Sequence, residues 1–270
     1  MNDLSQVDFC LLIPCYNNVA GLVRSLKSVV YAEDRFLVLV VDDGSTVPVD
    51  ARIVQQELGP SFPMMLIRND RNMGITASLN QGLEWILKES NARYVARLDC
   101  GDTCDIERFR LETNYLDSNQ EVGLVGSWCR FEEQKTGKGY VYETVTQHEQ
   151  IVKSMHFRNV FIHPCVMFRL SVVQEIGLYP SGFELAEDYA YFWKMMEFSR
   201  VHVIDRILVT CEMNKGGLSY KNKSKQLVAR WKVIKHFSTN TILKLAGFMR
   251  LIVLLLMPKE LVLWLKSTKG

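Results

Sequence analysis

The early part of the chain alternates short apolar runs with stretches of helical periodicity. The runs are Phe9–Pro14 (FCLLIP), Phe36–Val41 (FLVLVV), Met64–Arg68 (MMLIR) and Tyr94–Leu98 (YVARL). Between them, Leu22, Val23, Leu26, Val29 and Val30 recur at helical spacing over Gly21–Tyr31. Ile53–Leu58 reads as a second helix, and Ala77, Leu79, Leu83, Ile86 and Leu87 mark a third over Ile75–Lys88. Near-continuous apolar strands separated by helices predict a parallel sheet covered on both faces, a doubly wound, Rossmann-like α/β half. Each strand runs into a polar loop: YNN, DDGS, NDRN and DCGD. In a sheet of this kind all four loops meet at the carboxyl edge, where ligands bind.

The second half is mixed. Helices are predicted over Ile106–Ser118, Gln147–His156, Ser171–Ile176, Glu184–Phe198 and Gln226–Phe237. Strands are predicted over Val122–Phe131, Gly139–Val145 and Val201–Glu212, with an extended stretch over Val160–Phe168 broken at Pro164. Thr241–Met257 is strongly apolar, interrupted by Lys244 and Arg250 and ended by Pro258 and Lys259. It is too short for a bilayer span. With Leu263, Trp264, Lys266 and Lys269 it reads either as an interfacial helix pair on an anionic membrane or as helices packed on the core or on a second copy. Two regions result, 1–220 (a first half about 8–105, a second about 106–220) and 221–270.

Composition narrows the class. A chain of 270 residues with 48% hydrophobic content can bury a substantial core, and its net charge of +2 argues against a dedicated nucleic-acid binder. The seven cysteines are scattered, with no CxxC pair. Cys100 and Cys104 lie close, but no ligands nearby in sequence complete a zinc site. They read as thiols in a reducing compartment. MNDLSQVDF has no basic region ahead of an apolar one, so a cytosolic location is expected.

The stretch YVARLDCGDTCD carries the clearest candidate chemistry. Asp99 and Asp102 follow a buried strand, and Gly101 gives the turn its freedom. Carboxylates so placed can seat Mg²⁺ or Mn²⁺ shared with a substrate diphosphate. They can equally cap the next helix and make a turn. No G-x-G-x-x-G follows the first strand and no G-x-x-x-x-G-K-[ST] occurs, which disfavours a classical NAD enzyme or a P-loop NTPase.

Five motifs in order, IPCYNN (13–18), VVDDGS (40–45), RNDRNMGITASLNQGL (68–83), RLDCGD (97–102) and AEDYAYFWKM (186–195), resemble the bacterial inverting family 2 glycosyltransferases of GT-A fold, as found in O-antigen, lipopolysaccharide and capsule polysaccharide synthesis. The resemblance covers roughly residues 8–215. It implies transfer of a sugar from a nucleotide-diphosphate sugar, UDP favoured, to a glycan or a polyprenyl-diphosphate-linked acceptor. The work would take place at the inner face of the cell membrane, with Mn²⁺ or Mg²⁺ as cofactor, no nucleic-acid partner and a homodimer conceivable. It places Pro14 and Tyr16 at the nucleotide base and Asp42 and Asp43 at uracil or ribose. Arg71 and Asn72 would meet the nucleotide, and Asp99 and Asp102 the metal. His163 lies in a segment like the family's H-x-x-x-x-R stretch, here with Arg169. Asp188 matches the catalytic base, with Glu187 beside it. The family's metal motif is usually D-x-D or D-x-D-D, and Gly101 departs from it.

Each site residue has a plainer reading. Glu187 and Asp188 can simply complement a helix dipole, Asp42 and Asp43 can form a turn, and Arg71 can be a solvated loop charge. His163 can be a satisfied core residue. Lys215, Gly216 and Gly217 can form a lid or an ordinary loop, and Trp193, Met195 and Met196 read as core. Two other functions compete: a degenerate GT-A scaffold at the membrane, suggested by Gly101, and a nucleotidyltransferase, for which CYNNVAG lacks a basic, glycine-rich phosphate loop.

Overall fold

Strands β1 (Phe9–Cys15), β2 (Phe36–Asp42), β3 (Met64–Arg68) and β4 (Tyr94–Arg97) pair in parallel in the order β3-β2-β1-β4, as their apolar continuity predicts. A computed structural model describes residues 7–213 and 223–257 of the chain. Helices α1 (Val19–Lys27), α2 (Ala51–Leu58) and α3 (Ile75–Glu89) are the crossovers. The period of two along each strand divides the interior into two cores. Cys10, Leu12, Leu37, Leu39 and Val41 face Leu79, Leu83 and Ile86 of α3. Phe9, Leu11, Ile13, Val38 and Val40 face Leu22 and Leu26 of α1 and Val54 of α2.

Beyond β4 the sheet changes character. β5 (Thr103–Cys104), β6 (Val122–Glu132), β7 (Gly139–Tyr142), β8 (Val166–Arg169) and β9 (Arg200–Glu212) extend it in the order β4-β8-β6-β9-β5, with β7 on β6. The β4–β8, β8–β6 and β9–β5 pairs are antiparallel, so the sheet is mixed. α4 (Arg108–Ser118) belongs to the α1 side, where Phe109 and Leu116 enter the core. α5 (His148–Met155), α6 (Leu170–Ile176) and α7 (Glu187–Phe198) cover the α3 side.

Three local differences from the predicted pattern have physical causes. The two residues of β5 are too short to show a period. The extended stretch over 160–168 is divided by a 3-10 turn, His163–Cys165, where Pro164 fixes φ and offers no N–H. The helix expected from Glu184 starts at Glu187, because Leu185 takes the left-handed conformation (φ 69°) and breaks it.

Composition divides the chain near residue 220, but packing continues across it. α8 (Lys223–Phe237) sends Leu227, Ala229, Val233, Ile234 and Phe237 into the α3-side core. α9 (Thr241–Leu256) follows, capped by Asn240, whose side chain accepts from Leu243 N–H at 3.0 Å. α9 buries Gly247 and Leu251, stacks Phe248 on Trp231 at 3.9 Å, and leaves an apolar stripe exposed. Among the described residues no helix is long and apolar enough to cross a membrane. The loop at Lys215–Gly217 and residues Pro258, Lys259, Leu263, Trp264, Lys266 and Lys269 lie outside the described residues.

Candidate active site

The four polar loops do meet at one edge, and they are bonded to one another. Asn17, at φ 51°, donates its amide N–H to Ser45 Oγ at 2.9 Å, and its side chain accepts from Thr46 N–H at 2.8 Å. Asn18 caps α1 through Gly21 N–H at 3.0 Å and donates to Cys100 O at 3.2 Å. Pro14 is buried inside β1, whereas Tyr16 beyond it is 50% exposed.

Asp42 and Asp43 are turned into the protein. Asp42 accepts from Ser45 N–H (2.9 Å) and Val49 N–H (3.1 Å). Asp43 accepts from Asn69 Nδ2 (2.8 Å), Met73 N–H (2.8 Å) and Gly74 N–H (2.9 Å). A carboxylate offers about four acceptor positions, so most of this capacity goes to shaping the loops. Arg71 and Asn72 stay exposed on the loop that Asp43 holds. Gly44 passes against their backbone at φ 68°, and a Cβ there would collide with Arg71. Asp42 and Asp43 thus hold the loops in shape, and the Arg71 and Asn72 side chains are left exposed.

The D-C-G-D turn is clamped from α1 and from β9. Ser25 Oγ accepts from Gly101 N–H at 2.9 Å, and Arg24 donates to Gly101 O at 2.9 Å and to Glu212 Oε2 at 2.6 Å. Gly101 takes φ 110°, a conformation that favours glycine, and the Glu212 carboxylate packs against its Cα. Asp99 carries the accessible carboxylate, 44% exposed, bonded through Oδ1 to Arg97 Nη2 at 2.8 Å. Asp102 lies beneath, buried, and accepts from Glu212 N–H at 2.8 Å. Burial first, and then the charge of Asp99, pushes Asp102 well above the usual carboxylate range.

Arg97 is fully buried and ties the donor side to the centre. It donates to Leu12 O and Asp99, and its Nε reaches His163 Nε2 at 3.5 Å. His163 Nε2 also meets Tyr179 Oη at 2.8 Å. Burial and then the Arg97 charge hold His163 well below its ordinary range, so it is neutral. Arg169, linked with His163 by sequence, is elsewhere. It opposes Tyr94 at the far end of β4 and donates to Val122 O (2.8 Å) and Leu116 O (2.5 Å).

Glu187 and Asp188 open α7 on the opposite side. Asp188 Oδ2 accepts from Asn159 Nδ2 at 2.9 Å, and Oδ1 from Tyr189 N–H at 2.7 Å. Asn159 Oδ1 in turn accepts from Phe161 N–H at 3.2 Å, which fixes which end of the amide faces Asp188. Burial raises Asp188 above its ordinary range; the Tyr189 amide, Arg230 and Asn159 oppose this, and Asp99 adds to it. Burial and then Asp188 push Glu187 up to about 7. The Asp188 charge is thus, after burial, what favours the protonated form of Glu187. The Asp99 charge adds to the upward push on Glu187, Asp188 and Tyr179.

The donor set fits a hard divalent cation. Asp99 and Asp102 supply oxygen, and an ion such as Mg²⁺ takes one or two carboxylates and completes its shell with water and phosphate oxygens. Among the described residues the one group of three potential ligands is Cys129, Cys165 and Cys211, whose sulfurs lie within 4.8 Å of one another in the core. Soft, buried thiols suit neither Mg²⁺ nor Mn²⁺. Sequence reading did not single out Arg97, Asn159, Tyr179 or Glu212. A charged residue inside the apolar run YVARL was the available signal for Arg97; the others had none.

The clamped acidic turn at the sheet edge and the carboxylate pair opening α7 are the groups this fold offers for chemistry. The chain belongs to glycosyl transferase family 2, whose model matches residues 10–177. It is 28% identical over 251 residues to the amylovoran biosynthesis glycosyltransferase AmsE of Erwinia amylovora, covering 90% of this chain and 89% of that one. It is 26% identical over 224 residues to an uncharacterized glycosyltransferase of Haemophilus influenzae, covering 82% and 77%. Its fold is similar to S. aureus TarS 1-349 in complex with UDP-GlcNAc (TM-score 0.68, 17% identity, 91% of this chain and 72% of that one). It is also similar to the mannosyltransferase PcManGT of Pyrobaculum calidifontis in complex with GDP-Man and Mn²⁺ (TM-score 0.66, 16% identity, 94% and 72%). The GT-A fold and the glycosyltransferase assignment both follow.

Proposed function

We propose that this enzyme moves a sugar, with inversion, from a nucleotide-diphosphate sugar to a hydroxyl of a glycan or lipid-linked glycan acceptor in surface polysaccharide synthesis. The observation that carries the reading is the clamped Asp99–Asp102 turn at the carboxyl edge of the sheet together with the Asp188 carboxylate held by Asn159 at the start of α7. Polysaccharide synthesis is supported by the likeness to AmsE.

In the reaction the acceptor oxygen attacks the anomeric carbon from the face opposite the diphosphate. The new C–O bond forms as the bond to the diphosphate oxygen breaks, and that oxygen keeps the electron pair. Asp188 takes the hydroxyl proton, oriented by Asn159. His163, held below its ordinary range by burial, meets the buried Tyr179 hydroxyl at 2.8 Å beside Arg97. Mn²⁺ or Mg²⁺ held by Asp99 and Asp102 would supply positive charge to the leaving diphosphate. Arg97 keeps Asp99 in place whether or not the ion is bound.

UDP is the preferred nucleotide, on the likeness to the UDP-GlcNAc complex of TarS. GDP is the rival, since PcManGT holds GDP-Man. Thermal stability with UDP, GDP, dTDP and CMP, each with Mn²⁺ or EDTA, separates them. A ligand at one hundred times its Kd stabilises the native state by about 2.7 kcal/mol. UDP with Mn²⁺ is expected to raise Tm, and Asp99→Asn to remove the metal-dependent part. If no nucleotide moves the transition, the donor site is not one and a scaffold role takes its place.

The proposed place of work is the inner face of the cell membrane. Ile242, Leu245, Met249, Ile252 and Leu256 form the exposed stripe of α9, with Ile242 79% and Leu256 78% exposed. Co-sedimentation with phosphatidylglycerol vesicles is expected, and to fall in the double variant Leu245→Glu, Met249→Glu. Wild-type protein that stays in the supernatant at low salt would sink this part.

A further inference from the structure

Three thiols meet in the α1-side core. Cys129 lies on β6, Cys165 closes the 3-10 turn at Pro164, and Cys211 lies on β9. β6 and β9 run in parallel, with Cys129 opposite Val209, and Cys165 N–H donates to Ile162 O at 2.9 Å. The three sulfurs lie within 4.8 Å of one another, and Cys165 Sγ stands 3.8 Å from Cys211 Sγ. All three residues are buried and all are free thiols. Among the described residues no other His, Cys, Asp and Glu side chains form such a group of three.

A thiol packs well as a small apolar group, so burial alone says nothing of ligation. Convergence says more. Apolar packing asks only that each side chain be covered; it does not ask that sulfurs from three separate segments share one centre. Metal–sulfur bonds of about 2.3 Å put the sulfurs of a tetrahedral ion about 3.8 Å apart. Cys165 and Cys211 already have that separation, and Cys129 Sγ is at most about 1 Å beyond it. Soft sulfur selects Zn²⁺ or Cu⁺ over the hard ions that carboxylates take.

We propose that Cys129, Cys165 and Cys211 bind one thiophilic metal ion, Zn²⁺ or Cu⁺, as a structural site separate from the carboxylates of the donor turn. Each thiol gives its proton to solvent as its sulfur takes the ion. Three sulfurs complete the shell of Cu⁺, whereas Zn²⁺ adds a water. Because the sulfurs face the interior, the ion enters as the strands close, and its binding free energy becomes folding free energy. Glu212, the residue after Cys211, holds Asp102 through its N–H at 2.8 Å and Arg24 through its carboxylate at 2.6 Å. An ion on Cys211 therefore stiffens the part of β9 that clamps the acidic turn. The proposal stands whichever nucleotide or base the enzyme uses.

The test produces the full chain in medium supplemented with zinc, copper or cobalt and purifies it with excess Mg²⁺ and a thiol-free reductant. Bound metal is measured by elemental mass spectrometry. One ion per chain is expected from the zinc or the copper medium, and the medium that loads the protein identifies the ion; either supports the shared chemistry. Cobalt-loaded protein should show a thiolate-to-metal absorption band, which an ion on Asp99 and Asp102 does not give. Cys165→Ala and Cys211→Ala should each cut the bound metal at least about tenfold and remove the band. Cys10→Ala deletes a buried thiol outside the group and should keep both, which separates ligation from damage to the core. Protein free of metal from both zinc and copper media, equal loading of wild type, Cys165→Ala and Cys211→Ala, or a loss that Cys10→Ala shares, overturns the proposal.

Discussion

The two sides of the site use the same residue types for opposite purposes. On the donor side, Asp42 and Asp43 are buried and covered by N–H donors; their charge holds loops in shape. On the acceptor side, burial pushes Glu187 and Asp188 upward, although Asp188 accepts from Asn159 and from its own helix at Tyr189 N–H. A carboxylate that gathers the N–H donors of a loop serves architecture, and one whose burial raises its pKa is readied to exchange a proton. Position at the sheet edge does not separate the two. The segments they bind do: Asp42 and Asp43 hold the loops at 45–49 and 69–74.

The sharpest way to break the comparison is to remove the charge from each side in turn. Asp188→Asn keeps the shape, its one carbonyl oxygen can accept from Asn159 or from Tyr189 N–H but not both, and it cannot take a proton. Transfer should fall by roughly 10²–10⁴-fold, the usual range for a general base. The Tm shift with nucleotide and Mn²⁺ should not change. Residual transfer within tenfold of wild type would move the base elsewhere, with Glu187 the next candidate.

On the donor side, Asp43→Ala leaves Asn69, Met73 and Gly74 donors without their acceptor. Each buried donor so stranded costs about 1–3 kcal/mol. Water entering the cavity recovers part of this, so a loss of about 3–5 kcal/mol is expected in urea denaturation. Nucleotide binding should be lost with the loop that carries Arg71 and Asn72. A variant with wild-type stability that fails only to bind nucleotide would return Asp43 to direct ligand contact.

Much of this was legible in the residues. FLVLVV and its neighbours announce buried parallel strands because a strand covered on both faces has no polar side to show. The polar loop sequences after those strands then predict that the loops gather at one edge, as they do. What stayed hidden depends on contacts between distant segments. Glu212 meets Gly101 because β9 runs back beside β5, a pairing of two residues with no period to detect. Asn159 meets Asp188, and Arg250 meets Phe157, only after α7 and α9 dock. The packing across residue 220 is hidden for the same reason. Composition changes there, yet Val233 and Ile234 belong to the core that Leu12 began.

The smallest predicted effect tests the acceptor side through stability alone, with no substrate. Glu187 sits at about 7 in the folded chain against an ordinary 4.5. The folded state therefore holds this proton more tightly than the unfolded one. Below about pH 4.5 both states are protonated and the contribution of the group is fully present. As pH rises through 7 the folded chain must give up the proton, and that contribution is lost. One pKa unit corresponds to about 1.36 kcal/mol, and the coupling to Asp188 shares the shift, so a loss of about 2 kcal/mol between pH 5 and pH 8 is expected. Glu187→Gln removes the titration. The variant should match wild type near pH 5 and exceed it by about 2 kcal/mol at pH 8 in urea denaturation. Parallel curves for the two proteins would mean that Glu187 is as well solvated as a surface acid. The contrast between an architectural and a proton-exchanging pair would then rest on Asp188 alone.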